Sequence, residues 1–260
     1  MRITNDYLHT AMLKTISRTF VRKREVLNGT WENEKTLVFS FDCDYDRDMK
    51  SCIKILEILK TKGVHASFAL IGKLVKEFPK IVDSISVDGH EIINHTYTHY
   101  PEFRKLSSPK KLEEIVLFQN LMKDDFGVSV KGFRAPHLRQ RKGTDLFTIL
   151  KHLSLFDSSL IGYGVQKVEG VTEIPLTPFP DVKNMAFCTY HHFRMPLFSA
   201  SQNAFIKRWK GLLSQQNLIN IYLDPVDFVG SDQLLHVLIN LAVDYDFNFS
   251  TLQEVSKRLE

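Results

Sequence analysis

Two imidazoles four residues apart, His95 and His99, follow an apolar run in DGHEIINHTYTH (residues 88–99), separated by TYT, which favours neither helix nor core. Upstream, FSFDCDYD places Asp42, Asp44 and Asp46 at alternate positions. If strand geometry persists there, Asp42 and Asp44 lie on one side and Cys43 on the other. Two carboxylates facing the same way repel unless a cation or a shared proton relieves them. Neutral imidazole is a common ligand for zinc and similar borderline metals, and a His-x-x-x-His spacing can aim both rings at one point from a helical turn or tight loop. One carboxylate and two histidines leave positions open for water and substrate, the arrangement of a catalytic rather than a structural zinc site. Asp-x-Asp alone is common after a strand, and a histidine pair alone is usually packing; their conjunction points to chemistry.

The elements that must position these groups alternate between short apolar runs and amphipathic stretches from Lys35 onward, the signature of βα units. TLVFSF reads as a buried strand, and MKSCIKILEILKTKG as a helix with Ile53, Leu56 and Leu59 at helical spacing and Gly63 as its stop. VHASFALIG is the second strand, and KLVKEFPKIVDSISVDG the helical return to HEIIN. Ser108 as N-cap and Pro109 in the first turn open a long helix to about Phe126. Further strands fall near VKGFR, LSLFD, VTEIPL, MAFCTYH and LINIYL, with helices around 143–153, 201–216 and 232–244. Ser250 or Thr251 caps a last helix, with Glu254 near a capping-box position. The pattern predicts one α/β domain over 36–260, a distorted, incomplete βα barrel. In such barrels active sites gather where strands end. The titratable residues there are Asp42, Asp44, Asp46, His95, His99, Arg134, His137, Asp157, His191, His192, Asp224 and Asp227.

The chain has 260 residues, 43% apolar and 11% aromatic, enough for one large core. No run of about 18 apolar residues occurs and the N-terminus lacks the pattern of a secretory leader, so a cytoplasmic location is expected. Cys43, Cys52 and Cys188 form no Cys-x-x-Cys pair and are expected as buried free thiols. Residues 1–35 hold seven basic and four acidic side chains, a balance of +3, which leaves +1 of the net +4 for the other 225 residues. Leu8, Met12, Ile16 and Phe20 recur there at helical spacing, with Lys14, Arg18, Arg22, Lys23 and Arg24 mostly elsewhere on the wheel. This basic N-terminal helical extension, 1–35, either caps the domain or rests, through residues 5–24, on an anionic membrane face or a partner. Nucleic acid is not expected, for want of a binding motif or a long basic stripe.

FSFDCDYD, GHEIINHTYTH, GFRAPH and FDSSL, in this order, resemble the NodB-type polysaccharide deacetylases of carbohydrate esterase family four. The similarity runs from about Thr36 to the C-terminus. It implies a distorted (β/α)7-type barrel and a hydrolase that removes N-acetyl, less often O-acetyl, groups from amino-sugar glycans with one divalent metal ion, zinc first. By matched position, Asp42 resembles the catalytic base, Asp44, His95 and His99 the metal ligands, with Asp46 a weaker candidate, and Arg134 the residue that orients the base. His137 stands where tyrosine is usual, and its backbone N–H can still serve an oxyanion hole. Many members have two adjacent aspartates followed by glycine; here Cys43 intervenes.

The family's usual acid is a histidine in a motif resembling Leu-x-x-His-Pro, steadied by an aspartate, here Asp157. IYLDPVDF puts Asp224 in its place. An ordinary aspartate is protonated only about one part in a thousand at pH 7, so three readings stay open. Asp224 is protonated in a cluster with Asp42, Asp157 and Asp227; or His137, His191 or His192 has taken the role, oriented by Asp157 or Asp224; or hydrolysis is lost and the fold binds glycan or regulates a partner. Hydrolysis of a small non-sugar amide is a further alternative, against which the intact triad argues. The substrate expected is an N-acetylated sugar met inside the cell, including a lipid-linked intermediate at the inner membrane face approached by the N-terminal helix.

Overall fold

In a computed structural model, which describes residues 3–19, 25–138, 144–195 and 197–259, seven parallel strands form the body of one nine-stranded sheet, to which the short strand Asn248–Phe249 adds by pairing parallel with Thr36 and Leu37. The seven are β1 (Thr36–Cys43), β2 (Ser67–Leu70), β3 (Glu91–Asn94), β4 (Gly132–Phe133), β5 (Phe156–Asp157), β6 (Val171–Glu173) and β7 (Leu218–Leu223). Their order is β7-β1-β2-β3-β4-β5-β6, with the antiparallel strand Gln166–Val168 beyond β6. In place of a ladder between β7 and β6, Asn220 bridges the seam. Its side-chain NH2 donates to the carbonyls of Ile174 (3.0 Å) and Pro175 (3.3 Å), and its carbonyl accepts from the Thr177 N–H at 2.7 Å. The result is the distorted, incomplete α/β barrel expected.

Alternation along β1 decides what faces inward. Val38 packs inside with Ala69, Ile93, Phe156, Ile174 and Leu218, while Leu37, Phe39, Phe41 and Cys43 join the larger core beneath the helices. Asp42 therefore continues the inner row at the strand's C-terminal end. Gly132 is obligatory in this interior: a Cβ there would lie 2.4 Å from the Phe156 ring and 2.6 Å from Ile93.

The helices are α1 (Asp6–Thr19), α2 (Asp46–Lys62), α3 (Gly72–Glu77), α4 (Pro79–Val87), α5 (Ser108–Phe126), α6 (Asp145–His152), α7 (Gln202–Gln215), α8 (Asp232–Asp244) and α9 (Leu252–Lys257). Gly63 ends α2 in the left-handed conformation (φ 63°) as expected. The inward face of α2 is Cys52, Ile55, Leu56 and Leu59, and this rotation leaves Ile53 56% exposed although it shares the helical spacing of Leu56 and Leu59. Ser107, not Ser108, is the N-cap residue of α5; the Ser108 hydroxyl instead donates to Asp145 at 2.6 Å. Thr251 and Glu254 form the capping box of α9. The run MAFCTYH is strand only as far as Ala186 (Val182–Ala186), and residues Tyr190–Arg194 wind into one wide turn.

The helix α1 is docked through buried His9 and Leu13, with Met12 and Ile16 partly covered by the main core; Leu8, expected on the same stripe, is exposed. Phe20, Arg22, Lys23 and Arg24 lie outside the described residues, as do 139–143 at the expected start of the helix around 143–153. Flanking strands tie the segment down: Ile3–Thr4 pairs with Phe198–Ser199, and Val26–Asn28 with Ile161–Tyr163. Among the described residues, no helix is long and apolar enough to cross a membrane.

Glu91 opens β3 and fastens the barrel floor, accepting hydrogen bonds from the Ser67 hydroxyl (2.6 Å) and the Gln253 N–H (3.1 Å). Burial pushes its carboxyl up from 4.5 to about 7 despite these bonds. The folded chain thus holds a proton that the unfolded chain has released. Its contribution to stability is complete below pH 4.5 and is lost as pH rises towards 7. The Glu91→Gln variant should lack this decline when denaturant midpoints are compared across that window, and a slope identical to wild type would contradict the assignment.

Candidate active site

At the C-terminal rim, β1 delivers Asp42 and, one step beyond the strand, Asp44; β3 runs directly into His95. The intervening TYT is folded back by local bonds. The Asn94 side chain accepts from the Thr96 N–H (2.8 Å), Thr96 Oγ1 accepts from the His99 N–H (3.1 Å), and Glu114 of α5 holds Thr98 through its N–H and hydroxyl (both 2.8 Å). Thr96 and His99 both take left-handed φ values, 68° and 55°. Such conformations are costly for non-glycine residues and persist where the surroundings enforce them.

This loop brings both rings to Asp44. His95 Nε2 and His99 Nε2 lie 3.3 and 3.4 Å from Asp44 Oδ1, and one ligand atom from each of the three residues falls within 4.8 Å of the others. His95 Nδ1 donates to the Arg134 carbonyl at 2.8 Å. A carbonyl can only accept, so in the neutral ring Nε2 presents its lone pair to the cluster. Among the described residues, Asp44 Oδ1 and His99 Nε2 are buried without a hydrogen-bond partner. Each such orphan costs about 1–3 kcal/mol, a deficit that a cation at this point removes. Burial, reinforced by His95, holds His99 down at about 3. Burial pushes Asp44 up, but His95, His99 and His137 outweigh it and leave the carboxyl at about 2. Burial opposes a charge on His95 as well, yet Asp44 and Asp42 prevail and raise its pKa. An ionised Asp44 and a neutral His99 are the forms that ligate metal. The donor set fits one divalent cation.

Asp46 is exposed at the start of α2 and is not brought to the cluster. The acidic group that α2 does contribute near the rim is Asp48, which accepts from the Tyr45 N–H (3.0 Å) and is pushed up to about 6 by burial and by Asp44.

Beside the triad, the fully buried Arg134 donates from Nη1 to Asp42 Oδ1 at 2.5 Å and is itself fixed by the Ser158 carbonyl (3.0 Å) and hydroxyl (3.1 Å). Asp157 was expected near the proton donor. Its contact is instead the Ser159 hydroxyl (2.5 Å), which in turn accepts from the Ala135 N–H at 2.8 Å. The strand register sets Asp157 opposite Glu173, a buried carboxyl unremarked in the sequence. Burial, then Asp157, push the Glu173 carboxyl well up, and burial raises Asp157 as well.

At the end of β7, the side chain that meets Asp224 is Arg194, which also forms an ion pair with Asp227, its Nε 2.8 Å from Asp227 Oδ1. Burial pushes Asp224 well up, opposed by Arg194 and aided by Asp227, Asp42 and Asp44. Arg194 comes from the Tyr190–Arg194 turn, and its place beside His191 and His192 in that segment was the one available signal. The two histidines are turned to packing. His192 is fully buried, its ring stacked on Phe179 (5.0 Å between centroids) and its Nε2 3.0 Å from Arg208. The His191 ring meets the Ala186 carbonyl (3.0 Å) and the Cys188 thiol (3.1 Å), and its own carbonyl bonds to His9 Nε2 at 2.7 Å. His137 sits in the 136–138 turn with φ 55°, its ring centroid 4.8 Å from that of His99.

A parallel βα barrel carries an Asp-His-His cluster at its strand ends. Residues 30–153 match the polysaccharide deacetylase family. Over 105 residues it is 32% identical to a peptidoglycan-N-acetylglucosamine deacetylase of Bacillus cereus, spanning 40% of this chain and 37% of that protein. The structure of a Mycobacterium smegmatis protein provisionally assigned as a polysaccharide deacetylase aligns with a TM-score of 0.72 and 16% identity, covering 91% of this chain and 94% of that one. A family 4 carbohydrate esterase from Bacillus anthracis aligns with a TM-score of 0.59 and 17% identity over 99% of this chain and 95% of that one. These structural likenesses speak for the fold.

Chelator-treated protein should take up one equivalent of zinc, or a similar divalent ion, in calorimetric titration. His95→Ala with His99→Ala should lower that affinity by more than the roughly 10–100-fold typical of losing an outer-shell partner. Undiminished binding in the double variant would place the cation elsewhere.

Proposed function

We propose that the chain hydrolyses the acetamide of N-acetylated amino sugars, with glycans of the peptidoglycan or chitin type as substrates. The observation that carries this reading is the convergence of Asp44, His95 and His99 beside an Asp42 held by Arg134. The likeness to a peptidoglycan-N-acetylglucosamine deacetylase supports the substrate class. Zinc is the cation this donor set suits best.

When bound, a divalent cation supplies an activated water and a Lewis acid for the acyl oxygen. Asp42 accepts the proton released during attack, and the Arg134 guanidinium keeps its carboxylate oriented. The main-chain N–H of His137, in the turn beside His99, is the oxyanion donor of this reading. Expulsion of the amine requires a proton on nitrogen, and Asp224 provides it. Burial and its carboxylate neighbours favour the neutral acid before transfer, and Arg194 stabilises the carboxylate left behind. Full burial of His192 and the packing contacts of His191 favour Asp224 over those imidazoles as donor.

Acetate release from chitooligosaccharides and peptidoglycan fragments tests the reading. Asp42→Asn should lower turnover by about 10²–10⁴-fold, the usual worth of a positioned base, with cation uptake retained. Asp224→Asn should lower it by a comparable factor. Wild-type turnover in Asp42→Asn would remove the base, and wild-type turnover in Asp224→Asn would hand the proton to His137.

A further inference from the structure

The turn that carries Arg194 leads into a second surface, built by the N-terminal segment. The Ile3 N–H donates to the Leu197 carbonyl (3.1 Å) where strand Ile3–Thr4 joins Phe198–Ser199, so Ile3, Leu197 and the first turn of α1 lie together. Ile3 is 58% exposed, Tyr7 81% and Leu197 69%. Large apolar side chains exposed as a contiguous group mark interaction sites more often than single ones do.

Along α1, Tyr7, Ala11, Lys14 and Arg18 recur at i, i+4, i+7 and i+11, and all are exposed. This outer stripe begins apolar and ends basic. Lys183, exposed in strand Val182–Ala186, is next in sequence to Asn184, which donates to the Ser17 carbonyl at 3.1 Å. The nearby acidic groups are engaged within the protein. Asp6 accepts from the Ser201 N–H (2.7 Å) and hydroxyl (2.8 Å), and Asp181 is held by Arg208 at 2.8 Å.

We propose that this face docks on an anionic lipid bilayer, with Ile3, Tyr7 and Leu197 entering the headgroup region and Lys14, Arg18 and Lys183 meeting anionic headgroups. Three apolar side chains are a small patch for a stable protein interface, which buries about 800 Å² on each partner. A bilayer requires only shallow apolar insertion joined to basic contacts, and the amphipathic tyrosine suits that depth. The amphipathic face expected from Leu8, Met12 and Ile16 is not the one offered, since Met12 and Ile16 are partly covered by the protein's own core.

Co-sedimentation of the full chain with phosphatidylcholine vesicles, with and without phosphatidylglycerol, tests the proposal. The protein should pellet with the anionic vesicles and release with added salt. Lys14→Glu with Arg18→Glu should weaken binding by about tenfold or more, and Tyr7→Ser with Leu197→Ser by a similar factor, both at wild-type melting temperature. Should the apolar pair prove to lose its melting transition, the charge-reversal pair alone decides. Absence of wild-type pelleting, equal pelleting with neutral vesicles, or unchanged binding after charge reversal would overturn the proposal. So would self-association in lipid-free buffer that Tyr7→Ser with Leu197→Ser abolishes, which would give the face to a second copy of this chain.

Discussion

The carboxylate of Asp44 lies between two imidazole nitrogens at 3.3 and 3.4 Å, and among the described residues its Oδ1 has no hydrogen-bond donor. A buried anion in that position is uphill until positive charge joins it. Much of the rim serves to hold the arrangement anyway. The left-handed loop from Thr96 to His99 is clamped by Asn94 and Glu114, and the His95 ring is locked by the Arg134 carbonyl. Arg134 serves twice, its main chain orienting the His95 ring and its guanidinium holding Asp42. Asp42 and the Asp44-His95-His99 cluster therefore cannot shift independently of one another.

The second half of the rim obeys a charge count. Asp224 and Asp227 share a single guanidinium, with Asp42, Asp44 and Asp48 close enough to act on them or on Arg194. Burial and these carboxylates push Asp224 well up against the pull of Arg194. On the opposite wall, Asp157 accepts from the Ser159 hydroxyl, which accepts from the Ala135 N–H and so supports the shelf that carries Arg134.

What could be read from the sequence follows from how local each cause is. The spacing of His95 and His99, the alternation through Asp42 and Asp44, the stop at Gly63 and the capping of α9 by Thr251 are set within a few residues, and these are legible. Glu173 is not, because only the register of β5 against β6 puts it opposite Asp157. Arg194 is hidden by MAFCTYH, whose strand-like composition continues past Ala186 while the backbone winds into a wide turn. The phase of α2 is not local either, since several of its apolar residues share helical spacing and only the packed sheet selects the face around Cys52, Ile55 and Leu59 over Ile53.

X-ray absorption at the zinc edge of the loaded protein tests most directly whether one cation is held by a single carboxylate and two imidazoles at the ends of β1 and β3. The expected result is a shell of nitrogen and oxygen at about 2.0–2.2 Å with multiple scattering from two imidazole rings and no sulfur. Sulfur at about 2.3 Å, or the absence of imidazole scattering, would contradict it.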